Sequence, residues 1–221
     1  MLDKLVKIYN EAIFDTDREK ALKIVQKALD EGSSPEDILF HLVVPAMESM
    51  ITSISETMDT NLAQHFMTAQ ISSEVTEVML ARFQTPPEPV GHIVIGTAHG
   101  DMHSLGKRIV TGCLKARLIE ATDLGVNVSP ERFVDEAVAH NAQVIGISAM
   151  MVHTARGPKG CLGVRQILKE RGLEKQIKII VGGAPYRFDP DLYRFVQADA
   201  WADDGITASR VITDLIKEVK L

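Results

Sequence analysis

The chain has 221 residues, 45% of them apolar and 24% charged, the balance of an ordinary globular protein with room for one domain or two small ones. Its 24 Lys+Arg against 30 Asp+Glu leave a net charge of −6; no basic run marks a nucleic-acid footprint, so no nucleic-acid partner is expected. No apolar run approaches the roughly 20 residues that span a bilayer, and the opening Met1-Leu2-Asp3-Lys4-Leu5 carries no signal or transit pattern, so the expectation is a cytoplasmic protein with no membrane association.

Taken in chain order, residues 1–83 contain helices and no strand. Leu5, Ile8, Tyr9, Ala12 and Ile13 recur at helical spacing, as do Leu22, Val25, Ala28 and Leu29. Gly32-Ser33-Ser34-Pro35 stops one helix and starts the next, with Ser34 as N-cap and Pro35 at the first helical position. A third helix runs from Pro35 towards Met58, kinked or divided by Pro45. Asp59-Thr60-Asn61 then breaks the chain before a fourth helix that ends near Phe83. Four such helices predict a small antiparallel bundle over 1–85. Pro86-Pro87-Glu88-Pro89 cannot continue a helix and predicts a stiff linker over 86–90.

From residue 91 the period changes. Apolar runs at 93–95, 119–124, 144–147 and 177–181, with a short fifth near 198–202, alternate with amphipathic stretches at 105–117, 130–140, 160–171 and 207–219. That alternation predicts an α/β domain over 91–221, five parallel strands covered by helices on both faces. Ligands of such doubly wound sheets bind beyond the carboxyl ends of the strands. The loops there are 96–104, 148–158 and 182–188. Cys113 and Cys161 fall in predicted helices without zinc or redox spacing and read as structural thiols.

The first of those loops carries Asp101-Met102-His103-Ser104-Leu105-Gly106. An imidazole there is offered to a ligand, Asp101 two residues earlier can orient it, and Gly106 leaves room beside it. Ser148-Ala149-Met150 and Gly182-Gly183 stand on the two loops beyond. Together Asp-x-His-x-x-Gly, Ser-x-Met and Gly-Gly resemble the cobalamin (vitamin B12)-binding proteins, specifically the small corrinoid proteins of methyltransferase systems. The similarity extends through Gly96-Thr97, Asp123-Leu124-Gly125-Val126, Pro130-Glu131 and Val181-Gly182-Gly183-Ala184-Pro185, over about residues 91–216, and more loosely into the helical half.

The resemblance implies a flavodoxin-like B12-binding domain behind a helical cap, with His103 as the lower axial ligand to cobalt in place of the cofactor's own base. The displaced nucleotide tail of methylcobalamin, or a related corrinoid, would lie in a groove lined by Ser148, Gly182 and Gly183. Glycine suits a close ligand approach, and a serine hydroxyl can bond the tail. Met102, Ser104, Gly106 and Met150 would border the cofactor. Asp101 would hold the second ring nitrogen of His103, and Thr154 would complete a proton relay that lets the imidazole leave and rebind cobalt in each cycle. On the residues alone other readings stand beside these: Asp101 as a helix cap, Thr154 as an ordinary loop hydroxyl, and His99 and His153 as solvated or as contacts to corrin amides.

The chain departs from the pattern at Met150, at Val152 and at Ser104. The cap segment typical of methyl carriers is not recognisable, and Phe66 and Met67 are the residues expected over the upper face. The methionines at 47, 50, 58, 67 and 79 fill a core or form a soft surface. Trp201 packs on the tail or on the sheet edge, and Asp199, Asp203 and Asp204 read as a solvated turn rather than a metal site. The function implied is a methyl carrier between a substrate-specific methyltransferase and a methyl-acceptor methyltransferase, catalysing nothing alone. The alternative is a cobalamin-dependent sensor or light receptor. A homodimer is compatible with either.

Overall fold

The computed structural model describes residues 2–46, 62–83 and 89–220, without the side chains of Leu2, Asp3, Leu62, Ala63, His65 and Phe66. The chain forms two compact units, residues 1–88 with Lys115–Arg117, and the remainder. The predicted ends at Met58 and Asp59-Thr60-Asn61, the methionines 47, 50 and 58, and the linker prolines Pro86 and Pro87 lie outside the described residues.

In the first unit, α1 (Leu2–Phe14) and α2 (Arg18–Asp30) are joined by a turn at Thr16, and Asp17 caps α2 by accepting from the Lys20 amide at 2.9 Å. Ser34 caps α3 (Pro35–Ile38) through the Asp37 amide at 3.0 Å, with Pro35 in the first turn. The chain then widens into a π turn over Leu39–Val43 before Pro45, whose ring cannot sit against the carbonyl four residues back in a regular α-helix. The kink expected at this proline is expressed as that wider turn. The fourth helix, α4 (Leu62–Leu80), buries Ile71, Val75 and Met79, so Met79 is core. Its Gln64 and Thr68 side chains donate to the carbonyls of Phe14 (2.6 Å) and Ile13 (3.1 Å), which α1 leaves without an internal partner.

The second unit alternates β1 (Gly91–Thr97), α5 (Leu105–Lys115), β2 (Ile119–Asp123), α6 (Pro130–Ala139), β3 (Val144–Ser148), α7 (Val152–Arg156), α8 (Cys161–Glu170), β4 (Lys178–Gly182), α9 (Ala184–Phe188), α10 (Leu192–Phe195), β5 (Ala200–Ala202) and α11 (Gly205–Lys220). All pairings are parallel, in the order β2-β1-β3-β4-β5. Because strand side chains alternate between faces, Val94, Ile145, Ile179 and Val181 pack with Phe133, Val134, Val164 and Leu168 of α6 and α8. Ile93, Val144 and Ile180 turn the other way, against Leu114, Ile212, Leu215 and Ile216 of α5 and α11. This is the doubly wound, flavodoxin-like fold expected.

Three differences are local. The loops 148–158 and 182–188 each contain a one-turn helix, α7 and α9, and a third such turn is α10. Asp199 is not part of a solvated turn: its Oδ2 accepts from the Ile179 amide (2.6 Å) and from Arg165 Nη2 (2.6 Å), tying β5 to β4 and α8. Asp204 caps α11 through the Ile206 and Thr207 amides, both at 2.8 Å. Trp201 is half-buried beside the core of the α6 and α8 face.

Candidate functional site

The strand order reverses direction between β1 and β3, the switch point beyond whose carboxyl edge sheets of this kind bind their ligands. The register puts Thr97 beside Ser148, Ser148 beside Gly182, and Gly182 beside Ala202 in one row. The loops leaving this row carry His103 after β1, Met150 and Thr154 after β3, and Gly183 after β4. The fold therefore brings together Asp101, Met102, His103, Ser104, Gly106, Ser148, Met150, Thr154, Gly182 and Gly183.

At the centre is Asp101, whose side chain is 0% exposed. Its Oδ1 accepts from the His103 amide at 2.9 Å and lies 2.8 Å from His103 Nδ1. Its Oδ2 accepts from the Met150 amide at 2.7 Å and from Thr154 Oγ1 at 3.1 Å. Burial works against the charge on this carboxylate, but the two amides, the imidazole and the hydroxyl together outweigh it and hold the Asp101 carboxyl below the ordinary carboxylate range. Asp101 is an orienting group for His103, and it reaches across to the loop after β3. With Nδ1 turned to a carboxylate, Nε2 is left outward on a side chain 55% exposed.

Thr154 is buried, and its hydroxyl also lies 2.8 Å from the Met151 carbonyl. One hydroxyl proton thus has two acceptors, Asp101 Oδ2 and Met151 O. Around the imidazole, Met102, Leu105, Met150 and Val152 are exposed apolar side chains on the two flanking loops, a surface suited to a large flat ligand. His99 is half-buried and His153 exposed on α7.

The glycines shape the cradle. A Cβ at Gly106 would reach ordinary contact with Ser148 Oγ at 3.8 Å and meet nothing closer, so the start of α5 lies close beside the end of β3 without crowding it. At Gly183, with φ +116°, a Cβ would fall 2.0 Å from the Ala149 carbonyl oxygen, so the two loops touch backbone to backbone. Gly182 is less constrained, its nearest neighbour being Ala202 O at 3.3 Å.

These residues fit a corrinoid. Among the described residues no three His, Cys, Asp or Glu side chains converge as a metal cage. A corrinoid would bring its cobalt already held by ring nitrogens, so a single exposed imidazole nitrogen such as His103 Nε2 would suffice to hold it. Met67 is half-buried on α4, and the Phe66 side chain lies outside the described residues.

Two features had not been expected from the sequence. Lys107 is buried and paired with Asp123 at the end of β2, tying the helix after His103 to the sheet; a lysine on the inner side of the first turn was the available signal. The Met150 contact to Asp101 is a backbone amide, which no residue type could have announced.

Comparison with known proteins agrees with this geometry. Residues 91–210 match the B12 binding domain, and residues 5–50 match a second B12 binding domain. The chain is 30% identical over 203 residues to dimethylamine corrinoid protein 1 of Methanosarcina mazei, covering 91% of this chain and 87% of that one. It is 31% identical over 201 residues to monomethylamine corrinoid protein 2 of Methanosarcina acetivorans, covering 89% and 90%. The methanol:cobalamin methyltransferase complex MtaBC from Methanosarcina barkeri contains a chain with the same fold, with a TM-score of 0.73 at 22% identity over 97% of this chain and 80% of that one. The chain belongs to the B12-binding family of corrinoid proteins.

Proposed function

We propose that this protein carries a methyl group on corrinoid cobalt between two partner methyltransferases, one that loads it from a methylated substrate and one that unloads it. The observation that carries this reading is the 2.8 Å contact of Asp101 Oδ1 with His103 Nδ1 at the switch point of the sheet, which aims Nε2 outward. A bound corrinoid would supply a cobalt centre able to take up and give up a methyl group.

Held by Asp101 through Nδ1, His103 would offer Nε2 as a basic donor to cobalt. The Thr154 hydroxyl can donate to Asp101 Oδ2 or turn to the Met151 carbonyl. The edge of the sheet beside Gly106 and Ser148 would take the nucleotide tail, with Ser148 Oγ as its hydrogen-bonding partner and Gly182 and Gly183 bordering it. Met102, Ser104 and Met150 line the corrin's lower rim. Phe66 and Met67 serve the cap, within a helical region of 1–85 joined through 86–90 to the domain of 91–221.

The methylamine corrinoid names of the relatives favour a carrier over a sensor. A cytoplasmic location completes the proposal; among the described residues no helix is long and apolar enough to cross a membrane. The test is to reconstitute the purified protein with cobalamin, reduce cobalt to the +1 state and supply a methyl donor. Methylation of the bound cofactor, followed by its loss to an acceptor system, is expected. Selective, photolabile retention of adenosylcobalamin without methyl uptake contradicts the proposal.

A further inference from the structure

The turn that delivers Asp101 and His103 is gripped from two sides. On the β3 side the grip is the Asp101 carboxylate with the Met150 amide and the Thr154 hydroxyl. On the β2 side it is Asn127, with φ +53° in the loop after β2. Asn127 Oδ1 accepts from the Gly100 amide at 2.7 Å. Its own amide lies 2.9 Å from both the Asp101 carbonyl and Thr97 Oγ1, and Thr97 Oγ1 donates to that same carbonyl at 2.6 Å.

The turn itself, Ala98 to Asp101, closes through the Asp101 amide to Ala98 O at 2.9 Å, with Gly100 at φ +84°. A positive φ at the third position is what a type II turn requires. It leaves the Gly100 amide outside the turn's own hydrogen bond, and Asn127 takes it up. Asparagine tolerates the left-handed conformation better than most residues, so position 127 satisfies a backbone and a side-chain demand together. The Val128 amide then bonds Thr97 O at 3.0 Å, so the loop runs on beside the strand end.

We propose that Asn127 is a positioning residue for the cobalt-ligand turn, the uncharged fixed side against which His103 swings on and off the metal. The proposal rests on His103 being the cobalt ligand. None of the bonds around Asn127 passes through the His103 ring or the Asp101 carboxylate, so this grip is separate from the one on the β3 side. Loss of one such hydrogen bond shifts an equilibrium by about two- to tenfold. Asn127→Ala and Asn127→Gly should therefore lower the ratio of histidine-on to histidine-off cobalt(II) by about that factor. Asn127→Asp, which keeps the acceptor and tolerates the same φ, should stay near wild type.

Two readouts test this. In the apo-protein, amide exchange at Gly100 should accelerate in the Ala and Gly variants and not in Asp. In the reconstituted cobalt(II) protein, nitrogen hyperfine splitting in EPR reports the histidine-on fraction. A Gly variant that matches wild type in both overturns the proposal, because backbone conformation alone would then suffice. An Asp variant that behaves like Ala overturns it too. Wild-type protein without histidine splitting refutes the ligand assignment instead, and Gly100 exchange still decides whether Asn127 holds the turn.

Discussion

Substituting Asp101 by Asn removes a charge and an acceptor at almost no change in volume, and four hydrogen bonds around the carboxylate determine the consequence. Each carboxylate oxygen accepts two bonds, Oδ1 from the His103 amide and imidazole, Oδ2 from the Met150 amide and Thr154 hydroxyl. Asparagine offers one oxygen and one NH₂. With NH₂ in the place of Oδ2, it faces the Met150 amide, donor against donor, although Thr154 can retreat to Met151 O. With NH₂ in the place of Oδ1, it orphans the His103 amide, and Nδ1 must accept. That moves the ring proton to Nε2, the nitrogen needed by the metal.

Either orientation leaves a part-buried amide unpaired, at a cost of about 1–3 kcal/mol, or a fall of about 2–12 °C in Tm for a chain of this size. Chemical denaturation of the apo-protein followed by tryptophan fluorescence reads this cleanly, because Trp201 is the single tryptophan and sits on β5 of the α/β unit. The Asp101 carboxyl is held below its unfolded value, so its contribution is complete above about pH 4 and is lost as the pH falls through the lower folded value. On this account the gap between wild type and variant should shrink as the pH falls below about 4. A variant within about 0.5 kcal/mol of wild type at neutral pH, inside the range of an ordinary surface substitution, or a gap that widens in acid, refutes the reasoning.

Gly106→Ala should separate stability from binding. It gains about 0.5–1 kcal/mol of helix propensity in α5 while adding a methyl that touches Ser148 Oγ and stands where the cofactor would approach, so the melting temperature holds or rises and cobalamin affinity falls in a titration; unchanged affinity removes Gly106 from the groove. Gly183→Ala should destabilise the α/β unit by about 2–5 kcal/mol, combining backbone strain with a Cβ 2.0 Å from Ala149 O that forces β3 and β4 apart; a normal denaturation midpoint would show that the loops yield easily. Cys161 is fully buried, and burial pushes its thiol up to about 12. It should resist alkylation at pH 8 until the chain is denatured, as peptide mapping will show, and rapid labelling of the native protein would contradict that burial.

The fold was legible where burial leaves a pattern. Buried strands read as runs such as Ile93-Val94-Ile95, and each long helix of the α/β unit carries a one-sided apolar stripe. The helices α7, α9 and α10 were not legible because one turn buries only a residue or two, such as Thr154 and Ala155 or Leu192, and one turn has no period. At the site, Asp101 and His103 were legible from spacing and Thr154 only through the family resemblance, and the structure hydrogen-bonds Asp101 to both of the others. The Gly182-Gly183 pair announced a close approach without saying which glycine makes it; the backbone contact belongs to Gly183. Asn127 carries no sequence signal, since its role comes from strand order placing the loop after β2 beside the turn after β1. Asp199 was misread for the same reason, its partners Arg165 and Ile179 being brought to it by topology.

The central claim is that His103 supplies the nitrogen below cobalt. The most direct measurement is cobalt(II) EPR of protein reconstituted with cobalamin and grown with nitrogen-15 histidine, wild type against His103→Ala. The account predicts a low-field doublet in wild type that disappears in the variant. A triplet from the cofactor's own base in both proteins, or a doublet that survives the substitution, would contradict it.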